Sequence, residues 1–334
     1  MIGSLELGIL YGVMALGVYL TFRVLNFPDL TVDGSFTTGA AMAGFLLLND
    51  VNPVLATLAG GVAGLIAGAI TGLLHTYGHI DGLLAGILTM IGLWSINLRI
   101  MGRANLPLLR QDTVFTPLRE LGPGPKGLMG TWTSIAILAA LVLILNFVLD
   151  WFLTTNLGLA IQATGDNEDM IRSFGVNTQL TKILTLSLSN GFVAVCGALI
   201  AQYQGFADIS MGIGLILIGL ASVILGQAIL GQRRIWQATL AVVVGAIIYR
   251  LIIFLALKAG LNPNDMRAIT ALLVVLALLL PRWGFLRRIP ALRIVGKSVK
   301  ISNTPNPAVS ADSAEAEDAG TLAAAGKESG RGDA

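Results

Sequence analysis

Charge is scarce in this chain. Asp, Glu, Lys and Arg make up 12% of its 334 residues, against about 25% in a soluble globular domain, which excludes an ordinary water-soluble fold. Cysteine is scarcer still. A lone Cys196 rules out an intrachain disulfide, and its place inside an apolar run makes it a small packed hydrophobe. The two histidines, His75 and His79, stand four apart, a spacing that suits metal ligands. No HExxH and no carboxylate cluster beyond Asp81 accompanies them, so they read as part of a polar turn, and no metal is expected. No GxxxxGK[ST] occurs, so the chain does not hold ATP in a P-loop. Nothing pairs an acyl-transfer nucleophile with a base, which argues against an enzyme. Polar and apolar residues do not alternate along the long runs, which excludes a transmembrane β-barrel.

What fills the chain instead is apolar and small: mean hydropathy is +0.79, and 40 residues are glycine. Apolar stretches of about 20 residues recur, long enough at ~1.5 Å per residue to cross roughly 30 Å of hydrocarbon. Nine helices are predicted, over 5–24, 31–48, 54–74, 82–100, 132–152, 182–200, 211–230, 238–257 and 268–280. The expected fold is all-α, a polytopic helical membrane protein with about nine transmembrane helices in a domain spanning 1–295. Polar residues at the start of the second helix place that start at or just inside the membrane surface. Gly60, Gly64, Gly68 and Gly72 repeat every fourth residue in the third run, a spacing that lets a neighbouring helix lie close. Trp94, Trp132, Trp151, Trp236 and Trp283 fall near predicted helix ends or in their outer turns, as in an interfacial aromatic belt. Residues 296–334 turn to Ser, Ala, Glu, Asn, Pro and Gly, too poor in large apolar groups to order, and read as a disordered cytoplasmic tail.

Basic residues in short loops set the orientation. Arg233 and Arg234, and Arg282, Arg287, Arg288 and Arg293 after the last helix, are two crossings apart and both suit the cytoplasm. Counting back puts Arg23, Arg172 and Lys182 on that side too. The loop with Arg103, Arg110, Arg119 and Lys126 then falls outside, against the bias, together with the N-terminus.

A faint internal repeat supports the same count. Residues 27–35, FPDLTVDGS, align with 206–214, FADISMGIG, at a constant offset of 179 that pairs Asp29 with Asp208 and Thr31 with Ser210. At that offset helices 1–4 fall on helices 6–9, and the topology makes the halves run in opposite directions. Inverted repeats build sites near the bilayer midplane. Polar side chains in a membrane are costly unless they face a cavity or a partner. Asp29, Thr31, Asp33, Ser35, Asn97, Asn190, Asp208, Ser210 and Arg250 are therefore the candidate translocation path. Several of them also have a structural reading. The aspartates suit helix N-caps, Asn190 suits a helix–helix hydrogen bond, Asn97 stands near its helix end, and Arg250 can snorkel to water.

One polar stretch, 158–175, interrupts this membrane-like sequence: GLAIQATGDNEDMIRSFG. It lies within a segment, 155–179, much longer than an ordinary helix–helix connection of about two to eight residues. Asp166, Asn167, Glu168 and Asp169 suit the start of a short helix, and Gly165 and Gly175 are expected to break or cap it. Ile161, Met170, Ile171 and Phe174 give it apolar surface for docking. With the VNT that follows, the pattern resembles the cytoplasmic coupling segment of ABC transporter permeases of the branched-chain amino acid and ribose type. Gly165 and Asn167 match the family's central G-x-N, and Gly175, Val176 and Asn177 its closing G-V-N, whereas Gln162 stands where the family usually has arginine. The stretches LNFPDLTVDGSFTTGAA (25–41) and LAGILTMIGLWSINLRIMGR (84–103) look more specifically like a subgroup associated with tryptophan, tyrosine or other small solutes.

The resemblance implies a multi-pass protein of the bacterial inner membrane, paired with a second permease subunit, identical in most such systems. It implies two ATP-binding subunits holding ATP and magnesium, and an extracytoplasmic solute-binding protein. No cofactor is expected on this chain and no nucleic acid among its partners. Gly165, Asp166, Asn167, Glu168, Asp169, Arg172, Gly175 and Asn177 are the expected coupling residues. So few ionisable groups in the membrane favour a small neutral or zwitterionic solute such as an amino acid. The rival expectation is a single-subunit secondary transporter, which the long docking segment disfavours.

Overall fold

The computed structural model describes residues 1–120, 128–231, 234–260, 268, 270–272 and 274–275. Eleven helices and two short strands follow in order among them: α1 (Ile2–Tyr19), continued by a π-helical turn over Leu20–Val24; α2 (Thr31–Leu48); α3 (Pro53–Thr76); α4 (Gly82–Met101); β1 (Asn105–Pro107); α5 (Thr116–Glu120); α6 (Trp132–Thr154); α7 (Asn156–Asp166); α8 (Glu168–Ser173); α9 (Thr178–Gln204); β2 (Phe206–Asp208); α10 (Leu215–Leu230); and α11 (Ile235–Lys258). The helical membrane-type architecture predicted above is present. Six helices among the described residues are long and apolar enough to cross a membrane: α1 with its π turn, α3, α4, α6, α9 and α11. Of the two other long helices, α2 starts polar and α10 is a shorter apolar helix. The described residues of the predicted ninth helix are helical, and a count of nine is not established by them. The predicted tail, Trp283, Lys126, Arg233 and the arginines after 280 lie outside the described residues.

Helix ends follow local chemistry. Asn52, Asp81 and Asn177 each turn a side-chain oxygen back onto a first-turn amide, at 2.9, 3.0 and 3.1 Å, to start α3, α4 and α9. Gly102 (φ +67°) and Gly205 (φ +80°) close α4 and α9 in the left-handed region. Because Asn177 caps α9, that helix begins four residues before the predicted Lys182, and its first turn is polar. Conversely α10 begins four residues later than expected, since 211–214 form turns ending at Gly214 (φ +83°).

Two helices form the centre. Of the best apolar window in each, 83% is buried for α1 and 67% for α9, against 22% for α6 and 28% for α4. They are antiparallel: Gly17 lies against Ser189, Cys196 Sγ donates to the Leu10 carbonyl at 3.2 Å, and Tyr203 reaches Glu6. At the offset of 179, α1, α2 and α3 fall on α9, α10 and α11. The packing is symmetric under that exchange: α9 packs on α2 and α3 as α1 packs on α10 and α11, and α2–α3 matches α10–α11. Close approach sits at equivalent places. A Cβ on Gly8 would lie 3.0 Å from the Ile247 Cα, and one on Gly68 would lie 2.8 Å from the Ser187 Cα; the first pair maps onto the second.

Both α2 and α10 begin inside the bundle. Asp29 and Thr31, at the start of α2, meet Asn190 in the middle of α9 and Thr71 of α3. The start of α2 is therefore deeper than the surface position expected from its polar residues. The first turn of α10 is held by Asp33 of α2, whose carboxylate accepts from Gly214 N at 2.8 Å and Ile216 N at 2.9 Å.

The ends of the bundle differ in kind. At one end lie the π turn of α1, the α3–α4 turn, α7, α8 and the α10–α11 turn, joined by Arg23 Nε donating to Gln227 at 2.9 Å and by Phe27 edge-on to His75 at 5.0 Å. Arg23, Arg172, Lys182 and Arg234 therefore share an end. The opposite end carries the antiparallel β1–β2 ribbon, with Asn105 opposite Asp208. There α5 and its flanks dock onto α9 through Val114 N to Gln202 at 3.0 Å and Phe115 edge-on to Tyr203.

Candidate functional site

The segment before α9 folds as two short helices. Thr155 caps α7 by accepting from Gly158 N, and Gln162, in the position where an arginine is absent, turns inward to donate to the Leu153 carbonyl at 2.9 Å. Ile161 and Thr164 are buried, and the Thr164 hydroxyl lies 3.2 Å from that of Thr181 on α9. Gly165 does not break the helix as expected. It lies inside α7, where a Cβ would fall on the Val24 carbonyl oxygen at the end of the α1 π turn, and its own carbonyl accepts from Asn26 Nδ2 at 3.0 Å. The break comes two residues later at Asn167, which is extended (φ −157°, ψ 98°) and caps α8 by accepting from Met170 N at 3.0 Å.

Glu168 and Asp169 then occupy the first turn of α8. Glu168 bridges two cations, Lys182 at 2.7 Å and Arg172 at 2.9 Å. Burial alone would raise its carboxyl, but hydrogen bonds from Lys182 and Thr178 and the charges of Lys182 and Arg172 outweigh it and hold the group below the usual carboxylate range. Gly175 (φ +85°) follows α8, and Asn177 caps α9. Met170 and Phe174 remain exposed. Beside them α8, the start of α9 and the α3–α4 turn border a cavity of about 590 Å³ lined by His75, His79, Asp81, Glu168, Arg172 and Lys182. The His75 ring is engaged with the Ile80 carbonyl at 2.9 Å. Of the eight expected coupling residues, Gly165, Asn167 and Asn177 are turned to the internal geometry of the segment.

A second cluster lies mid-bundle. Asp29 accepts from Thr31 N at 2.9 Å and from Asn190 Nδ2 at 2.7 Å, and the Thr31 and Thr71 hydroxyls lie 2.8 Å apart. Asn190 also donates to the Leu186 carbonyl, while its Oδ1 and the buried Ser35 hydroxyl have no hydrogen-bond partner. Four of the predicted path residues, Asp29, Thr31, Ser35 and Asn190, therefore belong to the buried interior around the start of α2. Asp33 holds the start of α10, and Asn97 of α4 reaches the Gly34 carbonyl at 3.4 Å. Arg250 is apart from them, its guanidinium 4.1 Å from the centre of the Tyr11 ring, itself stacked on Phe36. Asp208 and Ser210 sit at the ribbon end, where the Asp208 carboxylate accepts from Ser210 N and from Asn105 Nδ2. Trp94 lies in mid-helix beside a cavity rather than at a helix end.

Glu6 escaped the sequence reading. It is buried in α1, and its carboxylate accepts from Gly130 N, the Ser134 hydroxyl and, at 2.7 Å, the Tyr203 hydroxyl. A lone carboxylate within an apolar run was the available signal. Asp150 of α6, which accepts from Thr239 of α11 at 2.7 Å, is similar.

A family model described as "Branched-chain amino acid transport system / permease component" matches residues 1–280. The chain is 40% identical over 267 residues to a tyrosine transport system permease protein of Clostridioides difficile (strain R20291), covering 80% of this chain and 86% of that one. It is 32% identical over 287 residues to an uncharacterized protein of Rickettsia prowazekii (strain Madrid E), covering 83% and 96%. A shorter match, 32% identical over 90 residues, joins it to the autoinducer 2 import system permease protein LsrC of Salmonella typhimurium, covering 27% of this chain and 26% of that protein.

Proposed function

We propose, from the premise that the chain belongs to the branched-chain amino acid transport system permease family and is the permease component of an ABC-type system for small solutes, that it is the membrane path of an ATP-driven importer. In this reading the chain pairs with a second permease subunit in the bacterial inner membrane. Two separate ATP-binding subunits, which carry ATP and magnesium, dock at α7 and α8, and a solute-binding protein delivers cargo at the ribbon end. The cargo is a small amino-acid-like solute.

One observation carries the reading: α7 is joined directly to the point where α1 ends and the chain turns inward. Gly165 packs on the Val24 carbonyl and bonds to Asn26, three residues before Asp29. A push on the exposed Met170–Phe174 face moves α7, and α7 cannot move without the 24–30 turn. That turn carries Asp29 and Thr31 and hence the contacts among α2, α3 and α9. Two discrete packings of these helices would open the path alternately to either side.

The test is replacement of Asp166, Asn167, Glu168 and Asp169 by alanine. The losses are a cap of about 1 kcal/mol and two ion pairs, one exposed and one half-buried, of roughly 1 kcal/mol each, too small to unfold the membrane domain. Membrane insertion is expected to persist while ATP hydrolysis separates from solute uptake. Unchanged ATP-driven uptake in that variant would refute the reading.

A further inference from the structure

One buried carboxylate takes no part in the coupling route above. Glu6 of α1 is 1% exposed, lies in an apolar span and forms no ion pair among the described residues. A carboxylate without a cation is tolerated there only when hydrogen bonds hold it, and these come from two other elements. Its Oε1 accepts from Gly130 N at 3.0 Å and from the hydroxyl of Ser134 in the first turn of α6. Its Oε2 accepts from the hydroxyl of Tyr203, at the end of α9, at 2.7 Å. Tyr203 in turn carries α5: its ring lies edge-on to Phe115 at 5.8 Å, and its carbonyl accepts from Arg119 Nη2 at 3.2 Å. One carboxylate therefore ties α1, α9, α5 and the entry to α6 together at the ribbon end.

The cluster also accommodates a proton. Ser134 Oγ lies 2.8 Å from the Thr131 carbonyl as well as against Glu6. With a proton on Oε1, the Ser134 hydroxyl turns its own hydrogen to Thr131 and accepts from Glu6, so no polar group is orphaned. Gly130 N and the Tyr203 hydroxyl then keep their acceptor but lose its charge, and charge-assisted hydrogen bonds are about twice as strong as neutral ones.

We propose that Glu6 is a proton-operated latch: as an anion it fastens α5 and the entry to α6 onto α1 and α9, and a proton taken up from the ribbon side loosens them. The inference rests on the transport reading, in which cargo is delivered at this end, and adds a regulation to it: acid weakens the surface that receives the cargo. The other titratable or charged groups near this end of the elements packed against it are Tyr203 of α9, Arg119 and Glu120 of α5, Arg250 and Lys258 of α11, and the Met1 amine. Arg250 is engaged with Tyr11, further into the bundle.

The experiment follows amide exchange, corrected for the intrinsic chemical rate, in the complete transporter reconstituted in lipid, from about pH 8 to about pH 4.5, a range that spans carboxylate titration in folded proteins. On acidification, exchange over residues 114–120 and 128–134 is expected to rise about tenfold. Glu6→Gln, a neutral stand-in for the protonated acid, should show the raised exchange at every pH, with no acid response. Tyr203→Phe keeps the ring against Phe115 but removes one donor to the anion, so the midpoint of the response should move to higher pH. A packing role alone would not move that midpoint, and the variant keeps the test open if Glu6→Gln does not reach the membrane. No acid response in the unsubstituted chain, a response that persists in Glu6→Gln, or a midpoint unmoved by Tyr203→Phe would overturn the latch. Solute uptake by the same proteoliposomes near neutral pH separates the two claims. ATP-driven uptake without the acid response sinks the latch and leaves the transport reading, whereas uptake that does not depend on ATP sinks the transport reading while the exchange still decides the latch.

Discussion

Gly165→Ala tests whether α7 is mechanically joined to α1. The new Cβ would fall on the Val24 carbonyl oxygen, and backbone, unlike a side-chain tip, cannot rotate away. Either α7 lifts off the π turn or the turn itself shifts. Overpacking of this kind costs about 1–3 kcal/mol, and losing the Asn26–Gly165 hydrogen bond adds about 0.5–1.5 kcal/mol. The better helix propensity of alanine returns about 1 kcal/mol, leaving a net cost of roughly 0.5–3.5 kcal/mol, borne locally. Gly175→Ala is the matched control. Gly175 has open space around it and a left-handed φ of +85°, so its cost of about 1 kcal/mol is one of backbone strain after α8, and nothing presses on α1. In reconstituted transporter, Gly165→Ala is expected to lower solute transported per ATP hydrolysed and to raise amide exchange in both α7 and residues 20–26. Gly175→Ala should raise exchange only around residues 172–177. Unchanged exchange at 20–26 and unchanged stoichiometry in Gly165→Ala would refute the joint.

Asn190→Leu removes the side-chain donor to Asp29 and leaves a buried carboxylate with its Thr31 bonds alone. A loss of about 1–3 kcal/mol is expected, read as a lower unfolding temperature in detergent, and an unchanged temperature would count against the Asp29–Asn190 bond. Gly68→Leu puts a side chain onto the Leu186 carbonyl and should prevent α3 from seating on α9, whereas Gly92→Ala, with nothing within 4 Å, should be silent; size-exclusion profiles of the two variants distinguish these outcomes. The Glu168 carboxyl is held below its ordinary value, so the folded form keeps it charged more readily than the unfolded one. Its contribution is therefore fully present above the ordinary carboxylate value and is lost as pH falls through the lower, folded value. Amide exchange of α8 should rise on acidification across that window, and Glu168→Gln should show the raised exchange already at neutral pH.

Much of the scaffold was legible because membrane helices announce themselves by length and hydropathy. The bounds of α2 followed from a polar start and a turn at 49–53, and Asp81 and Gly102 punctuate α4 as their residue types suggest. What local signals mislead on is depth and cause. The polar start of α2 reads as a surface position, yet Asp29 is satisfied by Asn190, 161 residues away, and such a partner cannot be read from local pattern. Gly165 reads as a helix breaker because nothing near it in sequence shows the carbonyl it must make room for. Glu6 has partners at 130, 134 and 203, from separate elements, so no spacing reveals it.

The same reasoning explains why the internal repeat is faint. What the two halves share is a distance between helix axes, and such a distance asks for a small residue on only one side of the contact. In the contact of α3 with α9 the glycine is on α3, as Gly68 facing Ser187. In the equivalent contact of α11 with α1 it is on α1, as Gly8 facing Ile247. Aligning the halves by residue type therefore sets glycine against serine and isoleucine against glycine, and the match disappears from the sequence while the packing persists. The motif that does align, around Asp29 and Asp208, also divides its work. Asp29 holds the inward start of α2 beside Asn190, while Asp208 is drawn into the ribbon with Asn105, and the corresponding start of α10 is held instead by Asp33 reaching across from the other half. Each half thus begins its inward helix with a carboxylate, and in the second half that carboxylate is supplied by the first. Asp33→Asn tests that division. Losing the charge on the acceptor of two amides should cost roughly 1–3 kcal/mol and loosen exchange at Gly214 and Ile216, whereas Asp208→Asn should leave both amides protected; the reverse pattern would mean that the second half supports its own helix.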